Sequence, residues 1–292
     1  NTGYMTNLGI LYGLLQTGDV VFSDELNHAS IIDGCRISRC KVVVYKHNDM
    51  ADLQRLLETE IVTGQRFIVT DGVFSMDGDI ADLPSLAVLK KQFNACLIVD
   101  DAHGVGVIGN DGSGTASHYG LTDVIDLQVG TLSKALAAEG GYVAGKKILI
   151  DYLINRSRPF IFSTALAPAT LAAANAALLL LQTQASKYID SLRANSRLMR
   201  RLLLEGGLNV VEGITPIIPV VIGEAGLTMQ FADRLKSKGI LVSGIRPPTV
   251  PRGESRLRIT VTAAHCEEQL RQAAQIITAL WQELKHGEKK EG

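Results

Sequence analysis

The chain reads as an α/β protein: a mostly parallel sheet with helices on both faces, followed by a smaller α+β domain. Three observations predict this. Short apolar runs alternate with helix-length segments from residue 4 to about residue 185. The runs themselves, such as Ala95-Cys96-Leu97-Ile98-Val99, carry almost nothing polar, so neither face of such a strand can meet water. Later strands change pattern: Arg256 to Thr262 alternates apolar and polar residues, as a sheet with one wet face requires. The domains expected are therefore 1–185 and 186–292, a split in keeping with a length of 292 residues.

Each element follows from local pattern. Residues 4 to 17 place Leu8, Leu11, Leu14 and Leu15 at helical spacing, and Gly18 stops the helix. Strands are predicted over 19–22, 41–45, 66–74 and 95–99, with helices over 49–60, where Asp49 is near the cap, and over 82–94. A strand-like run over 126–130 leads to Thr131-Leu132-Ser133-Lys134, and another strand covers 141–144. Helices then span 146–156, 165–185 and 186–206. The second domain is predicted to hold strands 216–222, 239–243 and 256–262 and helices 227–238 and 265–285. The last helix carries Leu270, Ala273, Ile276, Ile277, Leu280 and Leu284 on one face.

Composition removes several function classes. Net charge is −1, charged residues make up 20%, and no basic block precedes the short tail Glu288-Lys289-Lys290-Glu291, so neither nucleic acid nor an anionic membrane is an expected partner. The longest apolar run, around Leu171 to Leu181, is too short to span a bilayer. Cys35, Cys40, Cys96 and Cys266 show no CxxC pair and no metal-ligand spacing, which predicts reduced thiols, no metal site and a cytoplasmic location. The chain opens without a targeting sequence, and Thr2-Gly3-Tyr4-Met5 already has the character of a buried helix start. It is therefore expected to begin partway into a longer protein.

Candidate functional residues gather at the predicted carboxyl ends of the parallel strands, where open α/β sheets bind ligands. Lys134 is followed by Ala-Leu-Ala-Ala, and a lysine held from water by apolar neighbours carries a lowered pKa and a nucleophilic amine. The ordinary alternative is a lysine at a turn. Val99-Asp100-Asp101-Ala102-His103-Gly104 delivers two acids and a histidine, and Asp100 could hold a heteroaromatic ring nitrogen protonated; the bland reading is a capped turn. His28 could lie flat over an aromatic ring or simply start a helix. Backbone N–H groups at Gly3 and Tyr4 could face a phosphate. Ser75 could donate to a phenolic oxygen or serve a turn before Asp77-Gly78. Arg256 and Arg258, on one face of an alternating strand, could grip a carboxylate or sit on the surface. Gly104-Val105-Gly106-Val107-Ile108-Gly109 has dinucleotide-site spacing, but a loop, Asn110 to Gly114, follows where a helix should open, so nicotinamide or flavin binding is not expected.

Taken in order, Thr2-Gly3-Tyr4, Leu26 to Ser30, Thr70 to Gly78, Val99 to Gly104, Gly130 to Lys134, Phe162 to Leu166, Ile245 to Pro251 and Arg256 to Arg258 closely resemble the α-oxoamine synthases. These are pyridoxal-phosphate enzymes of the aspartate-aminotransferase fold. The resemblance implies a seven-stranded type of sheet and a decarboxylative condensation of an amino acid with an acyl thioester. Ile245 to Pro251 and Phe74 to Gly78 point toward members that use L-alanine and a pimeloyl thioester rather than glycine or serine. It also implies roles: Lys134 as the Schiff-base lysine that moves the Cα proton, Asp100 opposite the pyridinium nitrogen, and His103 and Ser75 at the phenolic oxygen. His28 would stack on the ring, Gly3, Tyr4 and Thr131 would contact the phosphate, and Thr249 and Arg258 the substrate, with Arg258 clamping its carboxylate. Ser163 or Thr164 would reach the phosphate of a neighbouring subunit in a homodimer whose sites form at the interface. Family members carry a segment before the position of Asn1 that helps bind the acyl substrate. The competing readings are a glycine- or serine-using synthase and a catalytically silent subunit of the same fold.

Overall fold

The structure is a computed structural model that describes the backbone of residues 1–291 and the side chains of residues 1–285. The chain divides into two compact units, one of residues 1–74 and 80–185, the other of residues 75–79 and 186–292.

The first unit opens with α1 (Gly3–Leu14), capped by Thr2, whose Oγ1 accepts from the N–H of Met5 at 3.2 Å. There follow β1 (Val20–Asp24), α2 (Ala29–Ile37), β2 (Lys41–Tyr45), α3 (Met50–Thr59), β3 (Arg66–Asp71), α4 (Leu83–Gln92), β4 (Ala95–Asp100) and the short α5 (Thr115–His118). Next come β5 (Leu127–Thr131), β6 (Gly141–Gly145), α6 (Lys147–Arg156), α7 (Arg158–Ile161) and α8 (Pro168–Glu205), whose residues as far as Ala185 belong to this unit and the rest to the second. The strands form one sheet in the order β2-β1-β3-β4-β5-β6. The first five run parallel and β6 returns antiparallel to β5. The described residues thus give six strands where a seven-stranded type was expected.

The period of two along each strand builds two cores. Val20, Phe22, Ile68, Leu97 and Val99 face one side with residues of α3 and α4. Val21, Val69, Ile98, Leu127 and Val129 face the other, under α1, α2 and α6. Helices that cover a parallel sheet run opposite to the strands, so the N-termini of α1 and α2 come to the strands' carboxyl ends. Asp71, Asp100 and Thr131 continue the series of Val69, Ile98 and Val129, and so project on the face that α1 and α2 cover.

The second unit holds β7 (Ile217–Gly223), α9 (Ala225–Ser237), β8 (Ser243–Ile245), β9 (Ser255–Thr260) and α10 (Glu267–Glu291), with an antiparallel sheet in the order β7-β9-β8. Its core joins Leu203, Ile218, Val220, Phe231, Leu257 and Ile277.

Two sequence expectations need correction. The strand predicted over 66–74 ends at Asp71, and Val73 makes only an isolated bridge with Ile80. Ser75 is therefore in the turn beyond β3 and clusters with the second unit instead of ending a strand of the first sheet. The helices expected at 165–185 and 186–206 are both present within the span of α8 and meet at a kink at Gln184 (φ −136°, ψ 19°). The strand expected at 239–243 is a loop as far as Val242: Gly239 (φ +80°) follows α9, and Ile240 and Val242 pack on the core without a ladder.

Candidate active site

Asp71 and Asp100 are the last residues of β3 and β4 and are direct partners in that parallel ladder. Both are buried. Burial raises the pKa of Asp71 well above the ordinary carboxylate range, and the neighbouring Asp100 raises it further. Burial also raises Asp100, opposed by hydrogen bonds from Asn7 and Ala102 and by the charge of Lys134. Asp100 accepts from Asn7 Nδ2 at 2.5 Å and from the N–H of Ala102 at 3.0 Å, so each of its oxygens receives a donor. Asp71 accepts from the N–H of His28 at 2.8 Å.

His28 is the N-cap of α2: its Nδ1 accepts from the N–H of Ser30, and its ring remains exposed. The helix-start and functional readings of this histidine are therefore compatible. Tyr4 approaches the His28 ring edge-on, with centroids 6.3 Å apart, and its hydroxyl donates to Asp33. Gly3 begins α1 beside the end of β5, where a Cβ would sit 3.2 Å from the Thr131 Cβ. The hydroxyl of buried Thr131 donates to the carbonyl of Gly140 at 3.0 Å. These features leave a helix N-terminus, whose N–H groups suit a phosphate, beside a bare glycine and a threonine.

Lys134 lies in the turn after β5 and is exposed, which overturns the expectation that apolar neighbours hold it from water. In that turn the buried side chain is Leu136. The charge of Lys134 instead favours the ionised forms of Asp71 and Asp100. His103 is half-buried in the turn after β4. Asp101 projects to the opposite face from Asp100, and burial pushes its pKa up to about 7. Its carboxylate accepts from the N–H of Thr115 at 2.6 Å and occupies the space that side chains at Gly104 and Gly114 would need. Gly104 of the GxGxxG spacing is thus accounted for by Asp101, and no helix begins before Thr115.

Ser163 is half-buried and Thr164 exposed, both in the segment between α7 and α8. In the second unit, Ser75, Arg256 and Arg258 meet within one cluster. Arg258 Nε donates to the Ser75 carbonyl, and Arg258 Nη1 lies 3.2 Å from Thr260 Oγ1. Arg256 is buried and is neutralised by Asp77 and Glu254. This leaves Arg258, the less engaged of the two, as the arginine suited to a substrate carboxylate. Thr249 is exposed in the loop before β9.

Sequence reasoning missed three members of the first unit's cluster: Asn7, Ser30 and Asp71. Asp71 carried a signal, since β3 ends in an acid as β4 does. Asn7 is one helical turn beyond Gly3, and its amide donates to both Asp100 and Ser30 Oγ. Only the pairing of α1 with α2 reveals it.

The residues fit a pyridine-ring phosphate cofactor: a buried carboxylate for a protonated ring nitrogen, an exposed imidazole face, a helix N-terminus for the phosphate and a lysine amine near the carboxylate pair. Residues 1–277 match the family described as aminotransferase class I and II. An 8-amino-7-oxononanoate synthase of Lysinibacillus sphaericus is 50% identical over 270 residues, covering 92% of this chain and 69% of that protein. The solved 8-amino-7-oxononanoate synthase of Francisella tularensis superposes with a TM-score of 0.82 at 32% identity, over 98% of this chain and 81% of that one. A serine palmitoyltransferase variant from S. paucimobilis, with a bound PLP–myriocin aldimine, superposes with a TM-score of 0.93 at 30% identity, over 97% and 72%.

Proposed function

Because this chain belongs to the aminotransferase class I and II family, and within it to the α-oxoamine synthases, we propose that it is a pyridoxal-phosphate-dependent C-acyltransferase of biotin biosynthesis. The reaction condenses L-alanine with a pimeloyl thioester, giving 8-amino-7-oxononanoate, CO2 and the free thiol. The observation that carries this reading is the 50% identity to an 8-amino-7-oxononanoate synthase across 92% of the chain.

Bound at this site, pyridoxal phosphate supplies an aldehyde that condenses with amines and a protonated ring that draws electron density from a substrate Cα. Asp100 keeps the ring nitrogen protonated, because its buried carboxylate pairs best with a cation. Lys134 would provide the amine that holds the cofactor and takes the proton from alanine Cα. His28 would cover one face of the ring, and His103 and Ser75 would engage its phenolic oxygen. Gly3, Tyr4 and Thr131 would bind the phosphate. Arg258 holds the alanine carboxylate and, with Thr249, orients the substrate so that the Cα–H bond breaks first.

A second copy of the chain completes the site. Its support is the exposed apolar stretch Phe160, Ile161 and Phe162, followed by Leu171 and Leu179 on α8. Surfaces of this kind mark interfaces, and they flank Ser163 and Thr164, the residues assigned to the neighbouring subunit's phosphate. Among the described residues no helix is long and apolar enough to cross a membrane, and a cytoplasmic location agrees with the four free cysteines.

The test is a steady-state assay with pimeloyl-CoA and L-alanine, glycine or L-serine, with the amino ketone identified by mass spectrometry. Preference for alanine supports the assignment, whereas preference for glycine or serine moves the chain to another branch of the family. Absence of any borohydride-sensitive visible band with pyridoxal phosphate favours the silent-subunit reading.

A further inference from the structure

A continuous hydrogen-bond chain joins Asp100 to His28, and its direction can be read from one end to the other. It starts at the backbone N–H of Ser30, which can only donate, and does so to His28 Nδ1 at 3.2 Å. Nδ1 therefore carries no proton. The Ser30 hydroxyl, 2.8 Å from the same nitrogen, must then be a donor too, which leaves Ser30 Oγ to accept. Asn7 Nδ2 lies 2.9 Å from that oxygen and gives it one hydrogen. Its second hydrogen goes to Asp100 Oδ2. Asn7 and Ser30 are 2% and 1% exposed, so no bulk water competes for these positions.

We propose that Asn7 and Ser30 are positioning residues that fix His28 as its Nε2–H tautomer and present its ring as a hydrogen-bond donor. With Nδ1 tied to the start of its own helix, the His28 ring presents one N–H, at Nε2, suited to a carbonyl or carboxylate oxygen of a bound substrate. Asn7 also holds Asp100 as an acceptor, opposing the effect of its burial. The carboxylate and the histidine are thus oriented by one device. The consequence for catalysis rests on the function proposed above; the tautomer does not.

The test is 15N NMR of the full chain labelled at histidine, with long-range proton–nitrogen correlations read before and after addition of pyridoxal phosphate. Loss of one signal set in His28→Gln assigns the resonance. The expected wild-type pattern is a pyridine-type Nδ1 and a pyrrole-type Nε2. Ser30→Ala removes one donor to Nδ1 and should lower the excess of Nε2–H over Nδ1–H about fivefold, the effect of one net hydrogen bond. Ser30→Thr, which restores the hydroxyl, should restore the pattern, and Asn7→Leu should weaken it. A pyrrole-type Nδ1 in the wild type overturns the proposal whether or not any variant folds, as does an unchanged ratio in both folded Ser30→Ala and Asn7→Leu. A chain inactive on alanine and pimeloyl-CoA that still shows the expected tautomer would remove the functional reading and leave the relay standing.

Discussion

Asp24 and Asp100 end two parallel strands of one sheet, and both are buried, yet they face opposite sides. Asp24 continues the series of Val20 and Phe22 and meets a loop. It accepts from the N–H groups of Leu26 and Asn48 at 2.9 and 3.0 Å, and His47 Nδ1 lies 3.0 Å away. Asp100 continues the series of Cys96 and Ile98 and meets the N-terminal ends of two helices. Its donors are Asn7 and Ala102, its ladder partner is another acid, and its pKa is raised. The difference is one of parity along a strand. At the same sheet edge, an acid on one face is absorbed into a loop, whereas an acid on the other stands where helix termini assemble a binding site.

Lys134→Ala should break this contrast most completely, since it removes the amine whose charge favours the ionised forms of Asp71 and Asp100. Turnover should vanish while circular dichroism stays that of the wild type; residual condensation activity would refute its assigned role. Next in size, Asp100→Asn should cost on the order of 3 kcal/mol of activation free energy, about a hundredfold or more in rate. The same change at Asp24 should leave turnover per folded molecule unaltered and cost about 1–3 kcal/mol of stability through lost acceptors, read from urea midpoints. Equal losses of turnover at the two positions would dissolve the comparison.

Asp101 sharpens it within a single step of the chain. Its folded pKa of about 7 lies above the ordinary carboxylate value, so between the two the native state keeps a proton that the unfolded chain has lost. The stability that this neutral acid contributes is complete below about pH 4 and fades as pH rises to about 7, a swing on the order of 4 kcal/mol. Asp101→Asn cannot ionise, so its stability relative to wild type should climb through that window; a constant offset would show that Asp101 is not a raised acid. The smallest effect should come from Thr2→Ala, which removes the cap of α1 at a cost of about 1 kcal/mol in thermal or denaturant unfolding.

The layered architecture was legible in the sequence because buried parallel strands leave unmistakable apolar runs, and Ala95 to Val99 could be read in no other way. Other features depend on which surfaces meet. The apolar neighbours of Lys134 gave the wrong expectation because Leu136 takes the buried position in that turn. Asn7 and Ser30 are ordinary polar residues in a list. They gain meaning only when α1 and α2 bring their side chains together and Asn7 reaches a carboxylate, a relation that spans 93 residues between Asn7 and Asp100.

The short segment Ser75 to Asp79 carries one further consequence. It is flanked on both sides by chain of the first unit, yet Asp77 pairs with Arg256, the Ser75 carbonyl receives Arg258, and the Gly78 carbonyl receives Thr215 Oγ1 at 2.6 Å. The partners are separated by 179, 183 and 137 residues. During synthesis this segment leaves the ribosome long before anything exists for it to bind, so the second unit can complete its fold only late. A gene fragment encoding residues 186–292 would express a body without its own inserted peptide, with Arg256 deprived of Asp77. Dissecting or recombining this protein at a single junction will fail for that reason, and grafts that carry residues 75–79 with the second unit are the ones to make.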